Sequence, residues 1–238
     1  MTNSSLVTIR QLTKAYDLLP VLRKLDLDIQ RGECVALLGA NGSGKSTLLR
    51  LLAGMSKPSS GTITVGGWEL PREAANVRAQ IGMVGHKPLL YENLSARENL
   101  AFFARLYNLP AAERETRIAD LLARVGLAKR AHDLMRTFSR GMQQRLSIAR
   151  ALLHKPAVLL FDEPYTGLDQ QGAAMLDEII AETRAGGQTI LMSTHELERA
   201  ARLAGRVIIL SRGQIGYDAP NSDGAGLAAV YAETVGAK

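Results

Sequence analysis

Residues 35–53 read Val35-Ala-Leu-Leu-Gly39-Ala-Asn41-Gly42-Ser-Gly44-Lys45-Ser46-Thr47-Leu-Leu-Arg-Leu-Leu-Ala53. An apolar run of strand length leads into a glycine-rich loop, and the loop into a run with helical spacing. The loop fits GxxxxGK[ST], and strand before with helix after is the context this motif needs. Its glycines let the backbone curl so that successive N–H groups point at phosphate oxygens. Lys45 then neutralises β- and γ-phosphates, and the Ser46 hydroxyl ligates Mg²⁺. A glycine-rich turn matches such a pattern by chance in on the order of one chain per hundred. The flanking strand and helix lower that further, so the stretch reads as a nucleotide site.

Farther along, Val158-Leu-Leu-Phe-Asp162-Glu163 is a buried-strand pattern ending in two carboxylates. Without a phosphate loop these would be ordinary surface acids. With one, Asp162 can hold the hydration shell of Mg²⁺. Glu163, one residue on, should leave on the opposite side of the strand, where it could polarise an attacking water. His195 follows the strand-like TILMST and could either sense the γ-phosphate or cap a helix.

Other strand-length apolar runs are LVTIRQL, IGMVG from Ile81, TILMS from Thr189 and VIIL from Val207. Runs apolar on both faces suit a parallel sheet covered on both sides. Helical patterns lie at Lys45–Ala53, Ser95–Tyr107, Glu113–Val125, Met142–Leu153, Gly172–Arg184 and His195–Leu203, and Ser95-Ala-Arg-Glu98 reads as a capping box. This alternation predicts an α/β fold. Residues 92–150 carry helices without a strand between them, which predicts a helical subdomain inserted in the sheet. The tail from Asp218, DAPNSDGAG and a short apolar turn, is expected to be loosely held.

The bulk properties of the 238 residues fit a globular chain: 46% hydrophobic and 22% charged. The net charge of +6 could favour nucleic acid, nucleotides or an anionic membrane, or serve solubility alone, and chooses none of them. The single cysteine, Cys34, excludes an internal disulfide and fits a reducing compartment. It sits in an apolar run and reads as an inert buried thiol. The N-terminus shows no signal-peptide pattern, and no segment approaches the roughly 18 apolar residues of a membrane span.

Residues 139–145, SRGMQQR, open a helical run yet carry no acid in their first turn. Helix starts favour Asp or Glu, because the backbone N–H groups make that end positive. This start adds positive charge and so awaits an anion.

The sequence has no NKxD guanine motif, and four pieces in order carry a resemblance to ABC transporter ATPases over roughly residues 6–217: GANGSGKST, SRGMQQRLSIARAL, VLLFDEP and STHE. The resemblance implies a P-loop fold with a mixed-sheet core, an N-terminal antiparallel β part and the helical subdomain. Residues 1–91 and 151–217 would form the core, about 92–150 the subdomain, and 218–238 a short tail. It implies ATP and Mg²⁺, with Gly39, Asn41, Gly42, Gly44, Lys45, Ser46 and Thr47 around the phosphates and Tyr16 against adenine. Ser139, Gly141 and, in the Gly167-Leu168-Asp169 turn, Asp169 would serve a site shared with a second copy. There the start of the SRGMQQR helix binds the γ-phosphate of ATP held by the other subunit. Glu163 and His195 would be catalytic, and Ser46, Asp162 and His86 would face the metal.

Two positions depart from the family pattern. The LSGGQ signature appears as Phe138-Ser139-Arg140-Gly141-Met142, which keeps the backbone donors. His86 stands where a glutamine is usual. Gly85-His86, with YTGLD after the DEP, resembles the ATPase of the haem exporter in cytochrome c maturation. Two-component exporters of lipids, polysaccharides or drugs are the alternative. Either implies a homodimer on the cytoplasmic face of the cell membrane, bound to a separate transmembrane permease and to no nucleic acid. Relatives that act on DNA or ribosomes carry coiled coils or paired cassettes, and this chain has neither pattern.

Overall fold

The computed structural model describes residues 5–221 and 226–236. Its first layer is a four-stranded antiparallel sheet, ordered β2-β1-β4-β5, of β1 (Ser5–Tyr16), β2 (Leu19–Gln30), β4 (Ser60–Val65) and β5 (Trp68–Leu70). The second sheet is ordered β10-β9-β3-β8-β7-β6, from β3 (Cys34–Leu38), β6 (Ile81–Val84), β7 (Val158–Asp162), β8 (Thr189–Ser193), β9 (Arg206–Ser211) and β10 (Gln214–Pro220). Its pairs are parallel except β10 with β9, so it is mixed.

Side chains alternate across a strand, and this explains the unbroken apolar runs. Val158 and Leu160 of β7 join the cluster beneath the antiparallel sheet, with α1 (Lys45–Leu52) between the two sheets. Leu159 and Phe161 face the other way, onto the cluster built by the helical subdomain and α6 (Gln170–Ala185). Each such fully buried side chain contributes roughly 1.5–3 kcal/mol. Cys34 is buried in that second cluster, and burial pushes its thiol up to about 11, as an inert thiol requires.

Helices α3 (Ala96–Leu106), α4 (Ala111–Arg124) and α5 (Arg140–Leu152) lie between β6 and β7 in the chain, without a strand among them. Ser95 caps α3 as a full capping box: the Glu98 N–H donates to Ser95 Oγ, and the Ser95 N–H donates back to the Glu98 carboxylate. A short helix missing from the sequence reading, α2 (Ala74–Gln80), precedes β6 and buries only Val77.

The loosely held tail is a correction. Asp218 belongs to β10, where Arg206 donates to both its carboxylate oxygens at 2.7 and 2.8 Å. Helix α8 (Leu227–Gly236) then packs with α7 (Leu197–Leu203) over Val207 and Ile209. The hidden signal was edge-strand alternation, which carries few apolar residues. Ser222, Asp223, Gly224 and Ala225 of that expectation lie outside the described residues.

Candidate functional site

The site sits where β3, β8 and β7 end side by side, at the carboxyl edge of the parallel strands, the usual place for ligands in such sheets. The loop after β3 supplies Gly39 to Gly44 and runs directly into α1. Gly39 has φ 144, and a Cβ there would stand 2.3 Å from the Leu210 carbonyl, so only glycine fits. Gly44 opens α1, and no side chain caps that helix start. Asn41, Gly42 and Ser46 are exposed there, with Thr47 half-buried behind them.

Lys45 Nζ donates to the Gly39 carbonyl at 2.7 Å and the Ala40 carbonyl at 3.1 Å. Burial lowers its pKa, and the charges of Glu163 and Asp162 oppose that. The ammonium thus sits among carbonyls, facing both acids. Ser46 Oγ donates to Asp162 Oδ1 at 2.9 Å, and Ser193 Oγ donates to the same oxygen at 2.8 Å. Asp162 is 5% exposed, so this carboxylate is held in place. Ser46 and Asp162 offer hard oxygen donors of the kind Mg²⁺ takes alongside phosphates and waters.

Strand alternation does not decide where Glu163 goes, which corrects the sequence expectation. Its φ of 51 turns the chain out of the extended region at that residue, and both acids act on Lys45. The Glu163 N–H donates to Ser193, whose Oγ lies 3.1 Å away. Its carboxylate Oε2 lies 2.8 Å from His195 Nδ1. An ionised carboxylate only accepts, so Nδ1 carries the proton and Nε2 is left for another partner. His195 does not cap a helix, since the N-cap of α7 is Glu196.

Ser193 escaped the sequence reading. It is the one polar side chain near the end of an apolar strand, two residues before His195, and its parallel-sheet neighbour is Asp162. That pairing needs the strand order, which the sequence does not state.

The signature helix α5 begins elsewhere on the surface. Ser139 caps it, accepting from the Met142 N–H at 3.3 Å. A Cβ on Gly141 would stand 2.8 Å from the Gly167 carbonyl, so the helix start packs closely on the turn before Asp169. Asp169 caps α6 through the Gly172 N–H at 2.8 Å and accepts from Arg145 at 2.6 Å. The Gly172 N–H and then Arg145 hold its carboxyl below the usual range. Arg145 and Gln144, which donates to the Pro164 carbonyl at 2.9 Å, were also missed. Tyr16 is exposed at the end of β1, with Lys14 Nζ 4.7 Å from its ring centre.

His86, exposed after β6, lines a cleft of about 40 Å³ with Arg140, Gln143, Gln144, Glu163 and Thr166. The cleft therefore touches both the Glu163 end and the signature end. A larger groove of about 820 Å³ opens on the far side of that loop, lined by Met55, Arg78, Leu89, Leu106, Arg117, Arg150 and His154, among others. Burial lowers the His154 pKa to about 4, so its ring is neutral. Arg150 is 5% exposed, and its bonds go to the carbonyls of Met83 and Leu89.

A phosphate loop, an acid at the end of a neighbouring strand and a second acid beside it define a P-loop nucleotide hydrolase. The family model described as ABC transporter matches residues 22–166. The ABC transporter ATP-binding protein NatA of Bacillus subtilis (strain 168) is 41% identical over 197 residues, covering 82% of this chain and 80% of NatA. The linearmycin resistance ATP-binding protein LnrL of the same organism is 37% identical over 202 residues, covering 85% of this chain but only 65% of LnrL. A solved ATP-binding cassette, dimeric in a post-hydrolysis state with ADP and Pi, superposes with a TM-score of 0.84 at 27% identity, over 91% of this chain and 99% of that one. The chain belongs to the ABC transporter family, as an ATP-binding and ATP-hydrolysing subunit. Among the described residues no helix is long and apolar enough to cross a membrane.

Proposed function

We propose that this chain is the ATPase of a two-component exporter for a lipid, polysaccharide or drug-like cargo, working as a homodimer beneath a separate permease at the cytoplasmic face of the cell membrane. The observation that carries the ATPase part is the Ser46–Asp162–Ser193 network beside Glu163 and His195. The likeness to LnrL, named for linearmycin resistance, weighs for this cargo class over the haem suggested by Gly85-His86 and YTGLD.

In this reading Gly39, Asn41, Gly42, Gly44 and Thr47 wrap the phosphates, and Lys45 leaves the loop carbonyls for the β- and γ-oxygens. Tyr16 stacks on the base. Ser46 and Asp162 hold Mg²⁺, which when bound neutralises charge on the phosphates. Glu163 takes a proton from the attacking water as the water oxygen bonds the γ-phosphorus and the bond to the bridging oxygen breaks. His195 keeps Glu163 oriented through Nδ1–H and turns Nε2 toward the γ-phosphate. Ser139 and Gly141 close the same site from the second copy, with Asp169 beside them. His86 lines a cleft that touches both halves, which supports a relay between the metal side and the permease.

The groove beside Leu89 suits a permease segment that carries a carboxylate between apolar residues. Met55, Leu89 and Leu106 are exposed along it, and among the described residues Arg150 has carbonyl partners but no carboxylate. The test is co-expression with a membrane protein from the neighbouring reading frames. The two should co-purify in detergent, and amphiphilic antibiotics, rather than haem, should stimulate ATP hydrolysis. Stimulation by haem alone would reverse the cargo assignment.

A further inference from the structure

The Glu163–His195 contact joins two chain segments, the loop after β7 and the loop before α7. Two residues beyond Glu163 and four beyond His195, the same segments meet again through Asp177 of α6. Tyr165 Oη donates to Asp177 Oδ1 at 2.6 Å, and Arg199 NH1 donates to both Asp177 oxygens at 3.1 Å. The Arg199 guanidinium also lies 4.2 Å from the Tyr165 ring centre, and its Nε donates to Glu196, the neighbour of His195. Arg202 adds a further donor to Asp177. Tyr165 is buried, and burial together with Asp177 raises its pKa, so the hydroxyl stays a donor.

The hydrogen bonds of this cluster involve neither the phosphate loop nor the signature helix. Its importance comes from what α7 lacks. Only Ala200 is fully buried along that helix, and the His195 side chain is 70% exposed. Packing therefore does little to hold the imidazole. The backbone that carries it is tethered by the Glu196 N–H donating to Thr194 Oγ1 at 3.0 Å, and by Glu196 and Arg199 to Asp177 and Tyr165.

We propose that Tyr165, Asp177 and Arg199 form a positioning clamp that sets the distance between His195 and Glu163. The inference rests on the catalytic roles assigned above to those two residues. A misplacement of about 1 Å at a reacting group can cost up to about a hundredfold in rate, so a clamp of this kind should show in turnover rather than in ATP binding.

Tyr165→Phe removes one hydroxyl and keeps the ring beneath Arg199. In the full chain it should lower kcat about tenfold while KM for ATP stays within about twofold. In a His195→Ala background the same change should add no further loss. A direct readout follows the ring nitrogens of His195 by ¹⁵N NMR, assigned through His195→Ala. Tyr165→Phe should shift them in the direction that Glu163→Gln does. Unchanged His195 nitrogens in a folded Tyr165→Phe chain overturn the clamp, as does an equal loss of kcat with and without His195. Failure of the underlying assignment looks different: Glu163→Gln itself would then turn over ATP at the normal rate.

Discussion

The phosphate-loop region and the start of α5, the two halves of the proposed nucleotide site, are built on opposite plans. At the ends of β3, β7 and β8 the polar groups answer one another within the chain: Ser46 and Ser193 on Asp162, Lys45 on loop carbonyls, His195 on Glu163. At the start of α5 the first turn carries no acid, and Arg140 stands exposed beside the Ser139 cap. In the first, these side chains are paired with one another or with the loop backbone. In the second, Ser139 accepts from the Met142 N–H, and Gln144 and Arg145 donate to the neighbouring Pro164 carbonyl and Asp169, with no acid placed against the helix start itself. Under the proposed function, such a site is completed when a second copy meets the first head to tail.

The largest effect should come from within the first half. Glu163→Gln keeps the shape and removes the base, so ATP hydrolysis should fall at least ~100-fold while ATP binding persists. The variant should then elute as an ATP-bound dimer on a sizing column. Full turnover would mean that the acid at 163 is not the base.

Mixing two dead proteins probes the split itself. Lys45→Ala and Ser139→Arg should each be nearly inactive as homodimers. In an equal mixture half the dimers are hybrid, and each hybrid places both lesions in one site and none in the other. Activity should return to about a quarter of the wild-type level, given the head-to-tail symmetry and one working site in two. Ser139→Arg that hydrolyses ATP normally by itself would place the whole site in one chain.

The smallest effect concerns the residue that touches both halves. His86→Ala should leave ATP affinity unchanged and lower permease-stimulated turnover about tenfold, less than the roughly 100-fold minimum that a positioned acid or base supplies. Stimulated turnover equal to wild type would reduce His86 to a cleft-lining residue.

What the sequence disclosed were features whose cause is local. The phosphate loop, the apolar strand ending in Asp162 and the Ser95 capping box each need only a few adjacent residues, and each was legible. What it concealed depends on partners distant in the chain. Ser193 matters because β8 lies beside β7, a fact of strand order. The β1–β2 hairpin is interrupted by register shifts, and residues Gln11 and Lys24 take positive φ, so its alternation is broken in the sequence too. Strand β10 alternates exposed and half-buried residues and offers no apolar run. Glu163 was assigned to a strand face because nothing in its identity announces a left-handed backbone.

That left-handed backbone costs stability. A glutamate at φ 51 sits where L-residues carry a steric penalty of roughly 1–2 kcal/mol, while glycine or asparagine would rest there with less strain. A glycine or asparagine there should raise stability by up to about 1 kcal/mol, measurable as a higher Tm, while abolishing turnover. If Glu163 is the base, its strain is a standing toll that the rest of the molecule carries on behalf of the reaction.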